Sequence, residues 1–176
     1  MVLAIREYID ARFQKKVCPL KIVDYLDPKL ILFLQAKTRD EAIKQLVEVL
    51  AKEKKVPDKH IFYKALLDRE KIASTGVGMA VAIPHAKLGF LSHFFMAIGV
   101  QTAEGLSWQS IDKAPVKLIF LIGGPDNRQT EYLQILSSLT QVIKNEGFRK
   151  KLFRAKTPEE VFSLFETLDL SQKNFS

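Results

Sequence analysis

The chain has 176 residues, enough for one domain with a sizeable core. Its 47% hydrophobic and 27% charged content is ordinary for a soluble globular protein, and apolar runs such as "LIFLIGG" are too short to cross a bilayer. The formal charge of +7 admits an acidic partner, but Lys and Arg are scattered, so nucleic acid is the weaker reading.

Residues 1–20 read as a separable extension. "MVLAIREYIDARFQKKV" lacks the unbroken apolar core and cleavage site of a signal peptide, which points to an unexported, cytoplasmic protein. "LAIREYIDARF" suits a short helix, and "CPLK" a turn. The single cysteine, Cys18, cannot form an internal disulfide and reads as a partly buried thiol rather than a nucleophile.

Residues 21–170 read as the main domain, and 171–176 as a tail. "LILFL", Leu30 to Leu34, is a short buried strand. "TRDEAIKQLVEVLAKEKK" opens with Thr38 and Glu41 as a capping box. Ala42, Ile43, Leu46, Val47 and Leu50 then form an apolar stripe. Pro57 ends this helix and helps start the next. "DKHIFYKALLDREK" sets Ile61, Phe62, Ala65 and Leu66 on one face, with Arg69 and Glu70 at its C-terminal end. Strands follow at Met79 to Ile83, Phe94 to Val100 and Val116 to Ile122. Their apolar character predicts a sheet covered on both faces. "GGPDN" reads as a break. "TEYLQILSSLTQVIK" carries Leu133, Leu136, Thr140 and Ile143 at helical spacing. Thr157, Pro158 and Glu160 open a last helix with a second capping box. The basic runs near Lys52 and Lys150 fall on helices as solvated faces. The predicted fold is a single α/β domain, a mixed sheet sandwiched by helices.

"STGVGMAVAIPHAK" contains the histidine of most interest. Gly76 and Gly78 allow a tight turn, and such turns can aim backbone N–H groups at an anion. Pro84 fixes the chain before His85, at a strand end where sites on α/β sheets collect. From residue type and position alone, a solvent-facing or capping imidazole is the simpler reading. The turn fits neither the P-loop nor the dinucleotide fingerprint. Three histidines without close spacing argue against a metal, and no cofactor is expected. His60 and His93 have no partner by spacing.

The longer pattern "LLDREKIASTGVGMAVAIPHAKL" resembles the phosphorylation segment of enzyme IIA components of the bacterial phosphotransferase system, of the fructose, mannitol and nitrogen-regulatory type. The residues that carry the resemblance are Arg69, Glu70, Ser74, Thr75, Gly76, Val77, Gly78, Ile83, Pro84 and His85. "VDYLDPKLILFLQA" and "APVKLIFLIGGPDN…YLQILSSLT" extend it. The resemblance implies a phosphoryl carrier of an enzyme kind. His85 would accept phosphate from a phosphocarrier of the HPr/NPr type, with Arg69 stabilising the phosphate, Thr75 hydrogen-bonding it and Lys87 adding charge. It would pass the group to a IIB domain or keep it as a regulatory mark.

"DYLDP" and "IPHAKL" resemble the free-standing nitrogen-regulatory branch, so a regulatory role is expected. The alternatives are an interaction module, either unphosphorylated or dependent on phosphorylation state, and a sugar-transport IIA relaying to IIB. Departures from the family pattern fall at Met79 and Ala80, where Asn-Gly is usual, at Ala86, often Gly, and at Tyr132, where many members have a second histidine.

Overall fold

A computed structural model of the protein describes residues 20–102 and 104–173. The expected N-terminal helix and Cys18 lie outside the described residues. Two short 3-10 turns, Ile22–Tyr25 and Pro28–Leu30, lead into β1, Ile31–Leu34. The helix α1, Arg39–Lys52, is capped as its sequence predicts: Thr38 Oγ1 accepts from the Glu41 amide at 3.1 Å. The Glu41 carboxylate reaches back one residue further, to the Lys37 amide at 2.8 Å. Such a cap is worth about 1 kcal/mol. Pro57 lies past the end of α1 and does not stop it. The helix ends at Lys52, and Lys54 turns left-handed (φ 56°) while the Lys55 amide bonds back to Leu50. That is the usual helix-ending motif, with lysine where glycine is favoured.

Asp58 caps α2, Lys59–Ile72, which buries Phe62, Leu66 and Glu70. Ile61 does not share that face and is 50% exposed. The buried positions are four apart, so the face lies one step round from the expected stripe.

The expected strand Met79 to Ile83 is instead a hairpin. Its arms are β2, Gly76–Gly78, and β3, Val81–Ala82, paired antiparallel, with Met79 and Ala80 at the tip. After Pro84 the chain continues as β4, His85–Lys87. The strands β5, Phe95–Gln101, and β6, Leu118–Gly124, form the buried centre. The β6 strand runs through Gly123 and Gly124, which the sequence suggested would break it. A Cβ on these glycines would meet Phe95 at 2.3 Å and Phe94 at 2.0 Å, so their bareness makes room for two aromatic rings. Then come α3, Gln129–Lys144, α4, Glu146–Arg154, and α5, Pro158–Lys173, which extends into the segment read as a tail. The second capping box forms at Thr157 and Glu160.

The sheet order is β1-β5-β6-β3-β2, with β4 also pairing β6. The pairs β1–β5, β3–β6 and β4–β6 are parallel, and β5–β6 is antiparallel, which makes the sheet mixed. Alternate residues of the central strands enter opposite cores. Phe95, Ala97, Ile119 and Leu121 pack with α1 and α2 residues such as Leu46 and Phe62. Phe94, Met96, Ile98, Phe120 and Ile122 pack with Ile135, Leu139, Phe148 and Phe165 from α3, α4 and α5. The apolar stripe of α3 is Tyr132, Ile135, Leu139 and Ile143, one residue away from most of the expected positions, and Leu133 is 54% exposed. The result is the expected sandwich of a mixed sheet between helices. No helix among the described residues is long and apolar enough to cross a membrane.

The hairpin tip is strained. Gly78, Met79 and Ala80 all take positive φ, at 86°, 58° and 60°. Side chains with a Cβ pay for that conformation, which Asn-Gly adopts readily in tight hairpins. Asp112 offsets part of the strain by accepting from the Met79 amide at 2.8 Å. Replacing the tip with Asn-Gly (Met79→Asn, Ala80→Gly) should stabilise the protein by about 1 kcal/mol. A thermal melt in which the double variant unfolds no later than wild type would contradict this reading of the tip.

Candidate functional site

His85 sits where both helical layers reach the sheet. At this end β4 pairs with β6 alone, so the ring meets α2 on one side and α3 on the other. Its Nε2 lies 3.1 Å from Arg69 Nε, and its Nδ1 lies 2.9 Å from the Ile83 carbonyl oxygen. A guanidinium N–H can only donate, so Nε2 must accept. The proton therefore resides on Nδ1 and is donated to Ile83. The neutral ring presents an unprotonated Nε2 towards Arg69. Burial pushes the His85 pKa below its ordinary value; the Ile83 carbonyl opposes this, and the charges of Arg69 and Lys87 add to the depression.

Arg69 belongs to the last turn of α2, where its Nη1 also donates to the Ala73 carbonyl at 3.0 Å. The next residue, Glu70, points the other way and is only 4% exposed. Its two carboxylate oxygens accept from the Thr75 amide at 2.9 Å and the Thr75 hydroxyl at 2.5 Å. Trp108 Nε1 donates to the same hydroxyl at 3.2 Å. Thr75 thus belongs to a buried network beside the site, and its one hydroxyl hydrogen goes to Glu70.

The turn's amides are also engaged. The amides of Thr75, Gly76 and Met79 donate to Glu70, Ser74 and Asp112 respectively. These three are not free to hold an anion, contrary to what the glycine pattern suggested.

From α3, Tyr132 brings its ring centroid to 5.5 Å from that of His85, tilted by 46°. It is 6% exposed and stacks on Phe94 at 6.3 Å. Burial raises its phenol pKa, with Arg69 opposing. Lys87 Nζ lies 4.6 Å from the Tyr132 centroid and donates to Gln129 Oε1.

Of the sequence-predicted residues, His85, Arg69, Tyr132 and Lys87 come together. Thr75 stands one shell away. Trp108, Gln129, Asp112 and Phe94 were missed. Trp108 lies 33 residues from Thr75 in the chain, so no local spacing could reveal the pair. His60 and His93 are exposed. No group of three or more His, Cys, Asp or Glu among the described residues is placed to hold a metal ion.

Residues 24–167 match the family model described as phosphoenolpyruvate-dependent sugar phosphotransferase system, EIIA 2. The chain belongs to this family of phosphotransfer components. It is 30% identical over 151 residues to the fructose-specific EIIABC component of Bacillus subtilis, spanning 85% of this chain but 24% of that protein. It is 29% identical over 163 residues to a nitrogen regulatory protein homolog of Haemophilus influenzae, spanning 89% and 97%. Among solved structures, nitrogen regulatory protein IIA-Ntr of Neisseria meningitidis is similar at TM-score 0.76 and 27% identity, over 82% of this chain and 98% of that one. The mannitol IIA enzyme of Escherichia coli, solved in complex with phosphorylated IIB, is similar at TM-score 0.69 and 25% identity, over 81% and 97%.

The depressed His85 pKa has a stability consequence. The unfolded chain binds this proton more tightly than the folded one, so the neutral ring's full contribution is present above about pH 6.5. It is lost as pH falls from there through the folded pKa. An NMR titration of the His85 ring should give a midpoint below the ordinary histidine value, and Arg69→Gln should raise it. A wild-type midpoint at or above the ordinary value would refute the assignment of a buried neutral ring.

Proposed function

We propose that the protein is a phosphohistidine carrier whose acceptor atom is His85 Nε2. The observation that carries this reading is the neutral Nε2 held against Arg69. A neutral imidazole nitrogen is a competent nucleophile. The donor is a phosphocarrier of the HPr/NPr type bearing its own phosphohistidine. In transfer, the Nε2 lone pair forms a bond to phosphorus as the donor's N–P bond breaks, and that bonding pair returns to the donor ring. The proton stays on Nδ1, donated to the Ile83 carbonyl, whose oxygen helps stabilise the positive charge the ring gains.

Arg69 exchanges its bond to Nε2 for bonds to the phosphoryl oxygens, where a planar cation suits the geometry. Phosphoryl transfer asks mainly for positioning and charge stabilisation, which these groups supply without a cofactor. Thr75 acts on this reading by holding Glu70, through its bonds to that carboxylate and to Trp108.

Residues 21–170 form the working domain in this proposal, with 1–20 an extension and 171–176 a tail; the match over 24–167 supports it. We favour a regulatory role in the cytoplasm, supported by the nitrogen regulatory relative that the chain spans almost entirely. Relay to a IIB domain is the second reading, supported by the fructose-specific relative.

Incubation with phosphoenolpyruvate, enzyme I and an active phosphocarrier should give acid-labile, base-stable phosphate on wild type and none on His85→Ala. Arg69→Gln should slow labelling by about a hundredfold. Label persisting on His85→Ala would sink the assignment. Fast loss of label to an added IIB domain would favour relay over a regulatory mark.

A further inference from the structure

Along β4, the small residue Ala86 enters the core beneath α1 and α2, while its neighbours His85 and Lys87 share the opposite face. Two residues on, Lys87 is therefore about 6–7 Å from His85 along the strand. Its ammonium is drawn over the Tyr132 ring, itself in contact with His85, and tied to Gln129 one turn earlier on α3. Arg69 approaches His85 from α2.

Neither cation beside His85 has an acidic partner among the described residues, and unlike most of the unpaired lysines, which are exposed, both are partly buried. Among the described residues, ion pairs engage Lys29, Arg39, Lys59, Lys71, Arg128 and Lys150, but neither Arg69 nor Lys87. The nearest carboxylate on α2, Glu70, is turned onto Thr75. Two partly buried cations thus flank one neutral imidazole with no carboxylate against them. Burying charge without an opposite partner is costly, and an anion between the two would relieve it.

We propose that Lys87 and Tyr132 form a second grip on the phosphoryl group, opposite Arg69. The inference rests on the phosphohistidine reading above. The ammonium is parked on a π face and an amide oxygen, both neutral acceptors that hold it less strongly than a phosphoryl dianion does. When the phosphoryl group arrives at Nε2, Lys87 leaves Gln129 for its oxygens. The Tyr132 hydroxyl, which hydrogen-bonds none of the described residues, donates beside it.

The titratable groups beside His85 are Arg69 from α2, Lys87 from its own strand and Tyr132 from α3, while Glu70, next to Arg69, is turned onto Thr75. The facing β6 residues, Ile122, Gly123 and Gly124, carry no charge. Burial raises the Tyr132 phenol's pKa, so it keeps its proton through neutrality, and the acid limb of transfer is assigned to His85.

The test is the rate of phosphoryl acceptance from a phosphorylated carrier, measured between about pH 5 and pH 9. Wild type should show a single acid limb. Lys87→Gln should be slower by about tenfold or more across the range, with its midpoint moved upward. Lys87→Arg should recover most of the rate, because the charge and reach return. Tyr132→Phe should slow transfer by about threefold, and Tyr132→His should add a second ionisation near ~6.5. A Lys87→Gln protein with the wild-type rate and midpoint would overturn the grip, and an unaltered Tyr132→Phe would remove tyrosine from it. Wild type that takes no label from an active carrier overturns the phosphohistidine reading itself, which separates the two failures.

Discussion

The hydrogen bond from Arg69 to His85 can exist only while Nε2 keeps its lone pair, and the surroundings are arranged to that end. Ile83 accepts from the other ring nitrogen's N–H, and burial disfavours a second proton. Successive helix residues are about 100° apart, so Arg69 can face the histidine while Glu70 faces inward. That division matters. A carboxylate free to pair with Arg69 would neutralise the cation beside the imidazole. Thr75 occupies the carboxylate instead, with Trp108 donating to the Thr75 hydroxyl, and so the buried network protects the charge balance of the site next to it.

The fold delivers these groups from separate layers. Arg69 comes from the α1–α2 layer and Tyr132 from the α3–α5 layer, and the two meet only past the short end of β3, where β4 has no outer neighbour. Gly124 contributes at a distance. Its missing side chain lets Phe94 lie against the sheet, and Phe94 in turn backs the Tyr132 ring. A strand residue that looks like a turn former is thus part of what fixes the aromatic wall of the site.

The features legible in the sequence were those with local causes. Thr38 with Glu41 and Thr157 with Glu160 marked two helix starts, because a cap is made within one turn. The central strands were legible as apolar runs, since a sheet buried on both faces leaves no polar alternation to obscure them. The misreadings came from tertiary causes. The face of α3 was set by the sheet it covers, which chose Tyr132 over Leu133. The Met79–Ala80 tip was read as strand because neither residue announces a left-handed turn; the tertiary bond from Asp112 helps hold it there. The histidine, its arginine and the facing tyrosine were found through a family resemblance. The commitment of the Thr75 hydroxyl depended on a tryptophan that no spacing rule connects to it.

Pro84 has a role beyond holding the chain ahead of His85. Its carbonyl accepts from the Ile122 amide, so it takes part in the sheet on the β6 side. It has no N–H to offer in any direction. The outer edge at the start of β4 is therefore short of a donor just where the His85 ring emerges. An extended segment from another molecule finds no continuous ladder there. For the proposed carrier, which would have to release each partner after one exchange, such an edge suits better than one that invites a new strand.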